Sequence, residues 1–225
     1  MFDTLLELPL FQGLGRDDLT RILESTRLDF STMPTGSTLL RQDELCTGLT
    51  FFIDGQVGVE TLAANRGWSV EETLPIPSVV GLEVLYGRRR TYRHSLYALS
   101  QTRLLTIDKR TVAALTSYFE VFRLNVFNTL TTSIARREQL DWLPAPTTLE
   151  GRLIAFFHTH VSHPAGPKTF HLSLRTLGAY LGEDPRYISR ALHRLSNDDL
   201  LTLGRRAITI PSFERLLQHQ KTTEN

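Results

Sequence analysis

The chain has 225 residues, 41% hydrophobic and 22% charged, with a formal net charge of +1, the balance expected of a soluble globular protein of one large or two modest domains and not of a polycation that coats nucleic acid. No apolar run approaches the roughly 20 residues that span a bilayer, and the opening MFDTLLELPLFQGL lacks the basic start and small-residue cleavage site of a signal peptide, so the expected location is cytoplasmic, with no membrane partner. One cysteine, Cys46, excludes an intrachain disulfide and a four-cysteine iron–sulfur site within one subunit.

Residues 1–27 read as helical, with Leu5, Leu6 and Leu8, then Leu19, Ile22 and Leu23 after a break at Gly13-Leu14-Gly15. Residues 28–108 change to short alternating runs: STLLRQ, LTFFIDG, QVGVETL, HSLYALS and TRLLTID. Turn residues at Met33-Pro34-Thr35-Gly36, Asp54-Gly55 and Asn65-Arg66-Gly67 separate them. Asp-Gly between two such runs predicts a hairpin, and several short strands at this spacing predict a sandwich or barrel. Residues 109–141 contain no glycine or proline, and their spread of apolar residues predicts one long helix. Phe127, Leu130 and Ile134 sit at heptad-like spacing, which points to a partner helix from a second subunit; the plainer alternative is an internal helix packed only on its own barrel. Pro144-Ala145-Pro146 then predicts a hinge, with the domain boundary near Leu143. Thr147 or Thr148 is placed to cap the next helix, 149–160.

The stretch LSLRTLGAYLGEDPRYISRALHRLSNDDLL (172–201) is the most informative. Leu174, Leu177, Tyr180 and Leu181 recur at spacings of three and four, the apolar stripe of a short helix. Gly178 lies inside that helix and requires a packing reason, such as close approach of the next helix. Gly182 is placed for a left-handed C-cap, and Asp184-Pro185 is a helix start. In the second helix Ile188, Leu192 and Leu195 form the buried stripe, with Arg186, Ser189, Arg190 and His193 opposite. That is the layout of a helix-turn-helix whose second helix enters the DNA major groove. LLTLGRRAITIPS follows and reads as strand, turn and strand: a wing with Arg205 and Arg206 at its tip. An amphipathic helix pair with a solvated basic face is the plainer alternative. The full DNA-contacting set is Arg186, Tyr187, Ser189, Arg190, His193, Arg205 and Arg206. Arg190 is the best candidate for a base contact, since arginine pairs with guanine O6 and N7 through two hydrogen bonds.

Taken together, the chain resembles the Crp/Fnr superfamily of bacterial transcription regulators over essentially its whole length. LPLFQGLGRDDLTRIL resembles the family's amino-terminal signature. LLRQDELCTGLTFFIDGQVGVET resembles a strand pair of the cyclic-nucleotide-binding β-roll, 109–141 the dimerisation helix, and LGAYLGEDPRYISRALHRL the helix-turn-helix. The resemblance implies an α+β fold: a β-roll (double-stranded β-helix) sensor domain at 1–108, a dimerisation helix and hinge at 109–143, and a winged helix-turn-helix at 144–225. It implies a homodimer on a palindromic operator in double-stranded DNA, contact with RNA polymerase, and a small-molecule effector.

The effector is where the chain departs from the family pattern. Nucleotide-binding members carry a Gly-Glu-Leu loop followed by an Arg-Ser pair. This chain has VVGLEVLYGRRRTYRHSLYA, which leaves Gly81, Glu83, Arg93, His94 and Ser95 as the effector-binding candidates. A one-residue shift would turn Arg93 inward. These changes argue against cyclic AMP, and the cofactor is otherwise unknown; the family-type iron–sulfur cluster lacks its cysteines. Arg88, Arg89, Arg90, Arg93 and His94 form a cationic segment: an anionic-ligand site, a contact to DNA or polymerase, or a solvated loop. Cys46 is a haem ligand, a redox thiol or, more commonly for its type, inert packing. His158, His160, His163 and His171 are too poorly spaced for a metal site. Many relatives have glutamate where this chain has Arg186, so a different half-site is expected. No catalytic constellation stands out, and an enzyme is not expected. The competing functional class is a ligand-binding signalling module whose carboxy-terminal domain docks a protein.

Overall fold

Leu49 and Phe51 point to one face of a strand and Thr50 and Phe52 to the other, all four buried. Such two-sided burial requires cover on both faces. The computed structural model describes residues 2–142 and 146–223. Its secondary structure runs α1 (Phe2–Glu7), α2 (Arg16–Ser25), β1 (Asp29–Met33), β2 (Thr38–Leu40), β3 (Gly48–Asp54), β4 (Val57–Leu62), β5 (Ser69–Thr73), β6 (Ser78–Val80), α3 (Leu82–Leu85), β7 (Ser95–Ala98), β8 (Thr102–Asp108), α4 (Lys109–Tyr118) and α5 (Glu120–Asp141). It continues through α6 (Leu149–Thr159), β9 (Lys168–His171), α7 (Leu174–Leu181), α8 (Pro185–Asn197), β10 (Thr202–Gly204), β11 (Ala207–Ile210) and α9 (Phe213–Thr223). The chain forms two units, 1–58 with 74–141 and 59–73 with 142–225.

In the first unit an antiparallel sheet runs β1-β8-β3-β6, and β2 pairs with β7. Leu49, Phe51, Leu105 and Ile107 pack in one core with Phe11 of the α1–α2 turn and with Leu19, Ile22, Leu115 and Phe122 of the helices. This is the α+β arrangement with an amino-terminal β-roll that the sequence predicts. Two local expectations need correction. Asp54-Gly55 closes no hairpin, because β3 pairs with β8 and β6 and β4 lies in another sheet. Gly55 is a corner at φ +109°, where a Cβ would sit 2.7 Å from the Gln101 carbonyl oxygen, so only glycine fits. The predicted helix 109–141 is two helices. Phe119 is extended (φ −119°, ψ 106°) between α4 and α5, and both Phe119 and Phe122 are buried in the core.

The second unit has its own core around Phe157, Phe170, Ile188, Leu192, Leu195 and Phe213. Thr148 caps α6 by accepting the Gly151 N–H at 3.0 Å. Residues 143–145, where the hinge was expected, lie outside the described residues. Residues 59–73, read from sequence as part of a continuous 1–108 domain, pack here instead. β5 pairs antiparallel with β9, and β9 with the β10–β11 hairpin. Opposite each other in that register stand Glu72 and Lys168, each 1% exposed, with Nζ and Oε1 3.1 Å apart. Both Glu72 carboxylate oxygens also accept the Ser162 N–H, at 3.0 and 2.9 Å. Trp68, just before β5, packs edge-on to His160 and Tyr180 and donates its indole N–H to the Tyr180 hydroxyl at 3.2 Å.

Candidate nucleic-acid interface

The turn between α7 and α8 forms as the residues dictate. Ser173 caps α7, accepting the Thr176 N–H at 3.0 Å. Gly182 ends it in the left-handed region (φ 67°, ψ 32°). Gly178 is needed because a Cβ there would stand 2.6 Å from the Glu183 carbonyl oxygen. The close approach is thus the turn's own backbone as well as the incoming Pro185. Arg152 of α6 pairs with Glu183 and donates to the Leu181 carbonyl at 3.2 Å, tying the turn to α6. Asp184 caps α8 and Pro185 occupies its first turn.

α8 has one fully buried side, formed by Ile188, Ala191, Leu192 and Leu195. Arg186, Arg190 and His193 are exposed on the opposite side, with Ser189 half-buried beside them. Tyr187 is 56% exposed at the flank, and the Arg190 guanidinium carbon lies 5.9 Å from the centre of its ring, within cation–π range. β10 and β11 pair Gly204 with Ala207 across a two-residue turn, Arg205-Arg206, both exposed. Ser189, His193 and Arg206 converge on a cavity of about 430 Å³ with Ser173, Leu174 and Leu203. Arg194, on the same helix, is held by Glu150 of α6.

Sequence reasoning missed one contact. The Asp184 carboxylate, besides capping, takes Arg186 Nε on Oδ1 at 3.1 Å and Nη2 on Oδ2 at 3.2 Å. The Arg186 guanidinium holds the Asp184 carboxyl below its ordinary value, helped by the Arg186 backbone N–H, and Arg186 itself is raised. The Asp-Pro-Arg order was the available signal, since it sets acid and base two residues apart at a helix start.

The effector candidates are arranged differently from the expectation. Gly81, at φ +105°, precedes α3 and faces Cys46 Sγ and the Gly48 carbonyl. Glu83 and Arg93 are exposed, so the inward turn allowed for Arg93 does not occur. Tyr92, one residue earlier, is the buried one, its hydroxyl pKa raised by burial and then by a hydrogen bond with Cys46. Ser95 is buried and accepts the Gln42 N–H at 3.0 Å, and His94 is half-buried. Phe52 and Leu104 oppose each other, buried, on the sheet face away from the helices. Arg88, Arg89 and Arg90 are exposed. On α5, Phe127 and Ile134 are 54% and 57% exposed, while Leu130 packs against its own core. Leu124, 53% exposed, extends the apolar stripe.

The family model for the Crp-like helix-turn-helix domain matches residues 151–219. The segment holding α7, α8 and the wing is similar to Crp-like helix-turn-helix domains. No curated protein matches the chain. Among solved structures, the Thermus thermophilus catabolite activator protein is 21% identical, with 96% of this chain and 100% of that one covered and a TM-score of 0.51. A protein from Eubacterium rectale assigned to the Crp/Fnr family of transcriptional regulators is 20% identical, with 96% and 99% covered and a TM-score of 0.53. The chain thus has the fold of Crp/Fnr regulators from its β-roll to its Crp-like helix-turn-helix, and the resemblance drawn from the sequence is supported. Among the described residues no helix is long and apolar enough to cross a membrane.

Proposed function

We propose that this protein is a cytoplasmic transcription regulator that binds a palindromic operator as a homodimer. The observation that carries the reading is α8, fully buried on one side and presenting Arg186, Arg190 and His193 on the other, beside a wing tipped by Arg205 and Arg206. The exposed stripe of Leu124, Phe127 and Ile134 on α5 supports dimerisation. Two recognition helices would then meet half-sites about one turn, roughly 34 Å, apart. An unidentified effector near Gly81–Ser95 would act through unequal affinity for the two arrangements of the reading helices. The exposed Arg88–Arg90 segment offers an anionic partner, such as an acidic patch of RNA polymerase, a cationic face.

Titration of the full-length protein with duplex DNA over a range of salt tests the reading. Affinity falls steeply with salt, because phosphate contacts release counterions. Removing Arg205 or Arg206 lowers the slope by about one each, and Arg190→Ala costs about 1–3 kcal/mol in sequence-specific binding. Binding indifferent to salt and to Arg190 would instead point to a protein-docking domain.

A further inference from the structure

We infer that Asp184 and Arg186 form a fixed two-residue unit that reads guanine, with Asp184 as the residue that positions the arginine. The inference rests on the DNA-binding reading above. The Asp184 carboxylate caps α8 through the N–H of Arg186, the second helical residue, at 2.8 Å, as an N-cap side chain does. That bond brings the arginine's own side chain back across the cap. A guanidinium has two edges able to make paired hydrogen bonds. Asp184 occupies the Nε–Nη2 edge. The Nη1–Nη2 edge remains, and it matches the O6 and N7 acceptors of guanine in the major groove.

The same contact disfavours the alternative use of Arg186. A carboxylate beside the guanidinium cancels its charge and repels a phosphate, so the pair is poorly suited to hold the DNA backbone. Nor does the contact exist chiefly for stability. Arg186 and Asp184 side chains are 86% and 39% exposed, and exposed ion pairs contribute little to folding. What the contact does is limit where the free edge of Arg186 points. Arg190, over the Tyr187 ring, then provides a separate basic contact one turn further along.

Selection of binding sites from a randomised duplex DNA library by the full-length protein tests this. Serine and asparagine cap helices about as well as aspartate, but neither can hold a guanidinium by two charged oxygens. Asp184→Ser and Asp184→Asn are both made, and melting temperature confirms that the cap survives in the variant scored. The expected result is a loss of about tenfold in preference for guanine at one position of each half-site. Affinity for non-cognate duplex stays level or rises, because a negative charge has gone. Arg186→Ala erases the preference at that same position, and Asp184→Ser adds nothing further in its background. Arg186→Lys, which keeps the charge without the fork, does not restore it. If Arg186→Ala removes the guanine preference while both Asp184 variants retain it, the arginine reads unaided and the inference is overturned. The inference equally fails if Arg186→Ala changes no position. If the unaltered protein enriches no sequence and binds duplex without salt dependence, the DNA-binding reading itself has failed, a distinct outcome.

Discussion

Removing the Lys168 ammonium while leaving Glu72 in place tests whether residues 59–73 are integral to the carboxy-terminal unit. The two groups are 3.1 Å apart and each is 1% exposed. At an effective dielectric near 20 their attraction is about 5 kcal/mol, opposed by a desolvation cost of several kcal/mol per ion. The net worth of the intact pair is therefore small, but breaking it is not. Lys168→Met strands a buried carboxylate whose remaining donors are backbone N–H groups of Ser162 and His163. The expected loss is about 3–5 kcal/mol, roughly 12–25 °C in melting temperature for a unit of about 100 residues. Glu72→Gln should cost a comparable amount, by leaving the ammonium unpaired. The double variant should lose clearly less than the sum of the two, because no buried charge remains and the glutamine oxygen can still accept the Ser162 N–H. Calorimetry on the three variants and the parent measures this directly. A cost below about 1 kcal/mol for either single variant, or strict additivity in the double, would refute the reasoning, since buried ions in contact cannot behave so.

Three further outcomes are expected. Gly178→Ala should destabilise the protein despite alanine's helix preference of roughly 1 kcal/mol; the 2.6 Å approach to the Glu183 carbonyl oxygen costs about 1–3 kcal/mol, and a urea midpoint that rises would contradict it. Phe127→Glu with Ile134→Glu should give monomers by sedimentation with the secondary structure intact, whereas an unchanged mass would remove α5 as the dimer contact. The Asp108 carboxyl is held low by the Thr111 N–H it accepts in capping α4. A depressed carboxyl stabilises the fold above its unfolded value, about pH 4, and loses that contribution as pH falls through the folded value. The deficit of Asp108→Ala in thermal unfolding should accordingly be present at pH 7 and close below about pH 4; a gap independent of pH would show that the charge plays no part.

Local signals were the legible ones. Gly182, Asp184-Pro185 and the spacing of Ile188, Leu192 and Leu195 define α8 because each acts within a few residues of itself. The strands of the β-roll were legible from alternation for the same reason. What the sequence concealed depends on distant partners. Asp54-Gly55 has the composition of a hairpin turn, yet the strands beside it find better partners in separate sheets. The break at Phe119 carries no glycine or proline, because burying two phenylalanines imposes it. β9 is four residues long, with lysine and histidine at its ends, and becomes a strand only when β5 and β11 flank it. Arg93 and Tyr92 could each have been the inward residue by alternation. Burial chose the tyrosine, the side chain cheaper to desolvate.

The discontinuity of the second unit bears on how such proteins can be recombined. Glu72 meets the Ser162 N–H across 90 residues of sequence, so residues 59–73 leave the ribosome long before β9, the strand that pairs with β5. Exchange of the helix-turn-helix unit with a relative through one crossover after α5 would set a foreign β9 against this chain's Glu72 and Trp68. A working chimera requires two exchanged pieces, 59–73 together with everything after 142. The unit that carries the helix-turn-helix is in that sense encoded in two separate places in the gene.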